Sequence, residues 1–153
     1  MDDMFQVLAE DGRAKPGREP KLSASDLQKL YSLMATTRAA DLKALKLQRQ
    51  GRMGTFAPSL GHEACQVGSA FALQPKDWIF PYFRDLGTYI TLGFPLKNYY
   101  LYWMGNEEGM RIPSGLNIFT ISVPVGSQLP HSVGCGMALK YKKEKAAVLT
   151  YFG

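Results

Sequence analysis

Ala146-Ala147-Val148-Leu149-Thr150-Tyr151-Phe152-Gly153 is a near-continuous apolar run that ends in glycine. It lacks the polar alternation of a half-exposed strand, and β-branched and aromatic residues fill its second half. That pattern predicts a strand buried on both faces of a parallel sheet, and with it an α/β fold. Open parallel sheets take ligands beyond the carboxyl ends of their strands, and glycine lets the backbone come close to a ligand. Gly153 therefore marks either the start of a ligand site or, equally, an ordinary turn.

Working back from this strand, Pro130 suits the first turn of a helix running to about Lys142, and Leu116 to Ser122 reads as extended. Residues 105–115, with three glycines and Pro113, read as a loop. Short helices are predicted at about Asp85 to Leu92 and Leu96 to Met104, after a brief apolar run, Trp78 to Phe80. A helix from His62 to Leu73 carries Ala64, Gly68, Ser69 and Ala72, small enough for close packing on another backbone. Upstream, Ser25 and Gln28 form a capping-box pattern. Leu27, Leu30, Tyr31, Met34, Leu42 and Leu45 then recur at helical spacing until Gly51. Arg38 falls near that stripe with Asp41 one turn on, which predicts a structural ion pair. Residues 1–22 mix charges with Pro16, Gly17 and Pro20 and read as a mobile lead-in to a domain spanning 23–153.

Composition narrows the function. The 153 residues are 46% hydrophobic, as expected of a globular core rather than a disordered tail. The net charge of +5 is spread evenly, with ten cations against seven anions through Arg52 and eight against six after it. No basic arm or stripe argues for nucleic acid. Cys65 and Cys135, seventy positions apart, make neither a metal-ligand pair nor a disulfide framework, and a reducing cytoplasm is the expected home. The acidic start Met1-Asp2-Asp3 argues against an export signal. Ile112 to Leu139 has no charged residue, but Pro113, Pro124 and Pro130 interrupt it, and Asn117, Ser122, Gln128 and His131 would lack partners in lipid. Burial around a ligand or a partner subunit is the expectation, and no membrane is involved.

Arg84 is the strongest anion ligand by context. It follows an apolar run and Pro81, between Tyr82-Phe83 and Asp85, where a planar fork donor can grip a phosphate in two contacts. The alternative is an Arg84-Asp85 surface turn. Glu63 at a helix start is favoured by the dipole and commonly only caps. His62 and His131 have no metal-like spacing, and no nucleophile elbow or phosphate-binding glycine loop is present.

Taken together, five stretches resemble one family. They are Arg49-Gln50-Gly51-Arg52, Ala57-Pro58 with Gly61-His62-Glu63-Ala64, Pro81-Tyr82-Phe83-Arg84-Asp85, Val125-Gly126-Ser127-Gln128-Leu129-Pro130, and Thr150-Tyr151-Phe152-Gly153. In this order they resemble the alpha subunits of thiamine diphosphate-dependent 2-oxo acid dehydrogenases, with two-subunit pyruvate dehydrogenases as the nearest branch. Branched-chain 2-oxo acid or acetoin dehydrogenases are the alternative, and a non-catalytic remnant that only makes subunit contacts is the other.

The resemblance implies an open parallel sheet flanked by helices that binds thiamine diphosphate between alpha and beta subunits. It implies an alpha2-beta2 heterotetramer that passes its acyl group to a lipoyl-bearing acyltransferase. Arg84 is implied as a diphosphate ligand. The backbone at Val123 and Val125 is implied to meet the aminopyrimidine, with the Val125 side chain as an apolar wedge under the bent cofactor. Phe56 and Ser59 are implied near the substrate end.

Three departures matter. Phe83 stands where many relatives have a tyrosine whose hydroxyl reaches the phosphate. Leu86 stands where some have a histidine. The family's Gly-Asp-Gly and later asparagine, which hold the bridging magnesium, do not occur in this sequence. The sheet is therefore expected to be incomplete in these residues, which carry no metal ligand and no catalytic acid or base, and the fragment alone is expected to be inactive.

Overall fold

The computed structural model describes residues 5–153. The first helix, α1, spans Ala24–Arg49, followed by α2 at Glu63–Phe71, β1 at Trp78–Phe80, α3 at Leu86–Thr91, α4 at Leu96–Trp103, α5 at Gln128–Lys142 and β2 at Val148–Thr150, with a short 3-10 turn at Glu107–Met110 between α4 and α5. Helices combined with parallel strands make this an α/β structure. β1 and β2 pair in parallel with Trp78 opposite Val148 and Phe80 opposite Thr150. On the other side of β1, Ile118 bridges Ile79 in parallel, the Ile79 N–H donating to Asn117 and the Phe119 N–H to Ile79. Three parallel extended segments thus lie side by side with β1 in the middle. β2 is half-buried rather than covered on both faces, because no further strand pairs its outer edge among the described residues.

The core gathers between this small sheet, α3, α4 and the second half of α1. It is rich in rings: Phe56, Tyr89, Phe94, Tyr99 and Trp103 pack with Ile79, Leu86 and Ile118. Phe56 meets Trp103 edge to face at 5.5 Å, and Tyr89 meets Phe94 similarly at 5.0 Å. Such pairs add to the area they bury. β1 belongs to this core because Ile79 and Phe80 are both buried.

Several local readings change in the structure. The cap of α1 is Ser23, not Ser25. The Ser23 side chain accepts the Asp26 N–H and the Asp26 carboxylate accepts the Ser23 N–H, a closed capping box two residues earlier. The buried face of α1 is Thr37, Ala40, Asp41 and Ala44, while Leu27, Tyr31 and Leu42 are exposed. The fully buried positions of α1 all fall in its second half, so much of the larger apolar stripe stays exposed. On α2 the small residues Ala64, Gly68 and Ala72 face outward, and Glu63, Gln66, Val67 and Ala70 are buried instead.

The charge-free segment is not uniformly buried either. Gln128 and Ser132 are, but Val123, Val125, Val133 and Met137 are exposed. Of the lead-in, residues 1–4 lie outside the described residues. Leu8 and Ala14 form an antiparallel bridge, supported by the Ala9 N–H donating to Arg13 and the Lys15 N–H to Val7.

Candidate functional site

Parallel strands bring their carboxyl ends to one edge, and here that edge carries three of the stretches the sequence singled out for ligand binding. β1 leads into Tyr82-Phe83-Arg84-Asp85, the segment beyond Ile118 leads into Val123 and Val125, and β2 leads into Tyr151-Phe152-Gly153. The Tyr82–Asp85 turn divides the edge into two hollows. One, about 370 Å³, is lined by Arg84, Tyr82, His62, Cys65, Tyr151 and Gly153, among others. The other, about 500 Å³, lies against Phe83, Val123, Tyr102, Trp103, Met104 and Thr55.

Arg84 is held with its charge unspent. One guanidinium nitrogen donates to the Pro58 carbonyl at 3.0 Å, and the cation lies over the Phe83 ring at 5.2 Å. Among the described residues it makes no ion pair, although Asp85 is its neighbour in sequence. The reason is that Asp85 turns inward. Its carboxylate is buried, accepts the Tyr82 N–H and the Gln66 amide, and is pushed up to about 6 by burial against the pull of that N–H. The surface-turn alternative, an Arg84-Asp85 pair facing water, is thereby excluded. Close approach is built in at the opposite wall, where a Cβ on Gly153 would come within 3.2 Å of the Tyr82 hydroxyl.

Two carboxylates tie α1, α2 and the loop between them behind the first hollow. Arg38 on α1 grips Glu63 at the start of α2 with two nitrogens, one at 3.0 Å, and Glu63 also accepts the Gly61 N–H. These bonds, the Arg38 pair foremost, hold the Glu63 carboxyl down to about 2 in spite of burial. Glu63 is therefore more than a cap, and the partner of Arg38 is not Asp41. Asp41, wholly buried, instead takes both the N–H and the hydroxyl of Ser59 on one oxygen, at 2.7 and 3.0 Å. Together they set the Ala57–His62 loop whose Pro58 carbonyl receives Arg84.

The implied site residues are thus distributed unevenly. Arg84 faces the first hollow; Phe83 and Val123 line the second. Val125, 63% exposed, lies at the same edge but lines neither hollow. The Phe56 side chain is in the core against Trp103, and the Ser59 hydroxyl is committed to Asp41, so neither side chain is free at the edge. Sequence reasoning missed Gln66, a buried amide beneath the Arg84 turn. Its signal was a polar residue on the same helical face as Glu63, Val67 and Ala70. Among the described residues no three His, Cys, Asp or Glu side chains cluster as a metal site.

The chain is thus an α/β protein with an arginine at the carboxyl edge of its parallel strands, over the Phe83 ring and without an ion-pair partner among the described residues. More particularly, the chain belongs to the dehydrogenase E1 component family, whose model matches residues 31–153. It is 46% identical over 125 residues to the pyruvate dehydrogenase E1 component subunit alpha of Acholeplasma laidlawii, covering 82% of this chain and 36% of that one. The like-named subunit of Staphylococcus epidermidis is 35% identical over 152 residues, 99% of this chain and 41% of its own, and that of Mycoplasma genitalium 36% over 151 residues, 98% and 42%. The chain therefore spans about two fifths of the length of these relatives.

Proposed function

We propose that these residues form the diphosphate-gripping part of the thiamine diphosphate site in a pyruvate dehydrogenase alpha subunit. The observation that carries this is Arg84, a cation without a carboxylate partner among the described residues, aimed into a hollow at the carboxyl ends of β1 and β2. The donor set fits the group, since a guanidinium fork matches phosphate oxygens and charge-assisted bonds to them are strong. When bound, thiamine diphosphate supplies the carbanion chemistry that removes carbon dioxide from a 2-oxo acid.

The chain's own residues bind and orient. Arg84 exchanges the Pro58 carbonyl, or shares it, with a phosphate oxygen. Val123 and Val125 offer backbone groups and apolar surface to the pyrimidine end, in a stretch free of ionised side chains whose burial under a ligand would be costly. Phe83, lacking a hydroxyl, contributes a ring and no hydrogen bond, and Phe56 and Ser59 act at the substrate end through the loop they anchor. Magnesium would take its ligands from outside these residues. The parallel strands belong to an open cofactor-binding sheet that these residues only begin. The partners are a beta subunit, in an alpha2-beta2 heterotetramer, and a lipoyl-bearing acyltransferase, and the compartment is the cytoplasm. No described helix is long and apolar enough to cross a membrane.

The test is Arg84→Ala in the protein as its natural reading frame encodes it, purified with its beta subunit. Loss of a charge-assisted phosphate contact should weaken thiamine diphosphate binding by about 1.5 to 3 kcal/mol, roughly tenfold to over a hundredfold. A titration that overlays the parent's removes Arg84 from the site. In the same preparation pyruvate should turn over faster than branched-chain 2-oxo acids; the reverse order assigns the branched-chain substrate.

A further inference from the structure

Gln66 is 2% exposed on α2, and a buried primary amide is costly unless both its ends are bonded. Both are, and to one short stretch of chain. The side-chain oxygen accepts the Gly87 N–H at 2.9 Å. The side-chain nitrogen donates to the Arg84 carbonyl at 2.8 Å and lies 3.4 Å from a carboxylate oxygen of Asp85. Arg84 lies near the end of the link between β1 and α3, and Gly87 in the first turn of α3, so a single amide ties the arginine's backbone to the helix that follows it. Gly87 is what allows this, since a Cβ there would stand 3.0 Å from the Gln66 oxygen and 3.1 Å from its Cβ.

We propose that Gln66 is a positioning residue that presents Arg84 to the cofactor diphosphate, an inference that rests on the cofactor reading above. It acts in two ways. It fixes the Arg84 backbone, so that the guanidinium leaves the turn toward the hollow. It also engages the Asp85 carboxylate on the inner side of the turn, where the Tyr82 N–H holds the other oxygen. A carboxylate released from there would be free to pair with the adjacent guanidinium and compete with phosphate for it. Only an amide meets both needs at this position, because the Arg84 carbonyl wants a donor and the Gly87 N–H an acceptor. Glutamate keeps the length but sets an acceptor against the Arg84 carbonyl and a second charge beside Asp85. Methionine keeps the bulk and offers neither bond.

The experiment is a double-mutant cycle on the enzyme purified with its beta subunit, read as thiamine diphosphate affinity by calorimetry in excess magnesium. Gln66→Met should weaken binding about tenfold and Gln66→Glu further, as the loss of a hydrogen bond to a charged or turn-fixing group implies. In the Arg84→Ala background Gln66→Met should change affinity less than about twofold, while its effect on melting temperature stays the same in both backgrounds. That split separates positioning from general packing. Parental affinity in Gln66→Met, or a full Gln66 effect that persists without Arg84, overturns the proposal. Parental affinity in Arg84→Ala alone overturns the cofactor reading instead. Gly87→Ala presses on the same amide from the other side and provides a second route through the cycle. If neither Gln66→Met nor Gly87→Ala assembles while Arg84→Ala does, Gln66 is a folding residue and the proposal fails.

Discussion

At the scale of single residues, two carboxyl groups flank the Arg84 hollow and titrate in opposite senses. Glu63 is held at about 2, below its ordinary 4.5, so its contribution to stability is complete above pH 4.5 and is lost as pH falls through 2. Asp85 is raised from 3.8 to about 6, so the fold bears a cost that is absent below pH 3.8, grows as pH rises through 6 and is constant above. Denaturant midpoints measured from pH 2 to 5 should therefore show a smaller acid-side fall for Glu63→Gln than for the parent. Equal slopes would mean that the Arg38–Glu63 pair is not formed in solution. Val125 allows a different separation. Because it is exposed, Val125→Ala should leave the melting temperature nearly unchanged, while turnover falls more than cofactor affinity if the side chain wedges the cofactor. Turnover equal to the parent's would make it ordinary surface.

Among elements, the tie between α1 and the Ala57–His62 loop is the one that seats the hollow. Asp41→Ala should leave the Ser59 N–H and hydroxyl unpaired in a buried place and cost about 2 to 4 kcal/mol, whereas Asp41→Asn retains an acceptor and should cost much less. Urea unfolding of the two variants distinguishes them, and equal losses would show that charge rather than hydrogen bonding matters there. The helices were largely legible in the sequence, because local spacing and breakers determine them: α3, α4 and α5 lie within a few residues of their expected spans, while Trp78–Phe80, read only as an apolar run, is a strand. What local spacing does not carry is which face finds a partner. Arg38 pairs with Glu63, twenty-five positions away, rather than with Asp41 one turn on, and Leu27 and Tyr31 remain exposed although their period is helical. The cap shifted by two residues because two serines each precede a plausible third-position acceptor, and the ionised Asp26 is the better one beside a helix start.

For the molecule as a whole, three stretches far apart in sequence converge because the strands before them run parallel. That convergence is what a run such as Ala146 to Phe152, ending in glycine, announced. The division of the edge into two hollows by Phe83 and Arg84 was not legible, since it depends on the side to which each residue of one turn faces. The family could be read from motifs in order; the supports beneath the Arg84 turn and the Ala57–His62 loop, Gln66 and Asp41, became visible only once α1 and α2 were packed. The central claim is that Arg84 receives the cofactor diphosphate at this edge, and its most direct test is a crystal structure of the enzyme with its beta subunit and thiamine diphosphate. A diphosphate oxygen at about 2.7 to 2.9 Å from the Arg84 guanidinium, with the pyrimidine toward Val123 and Val125, is the predicted result. A diphosphate bound elsewhere, with Arg84 still donating only to the Pro58 carbonyl, would contradict it.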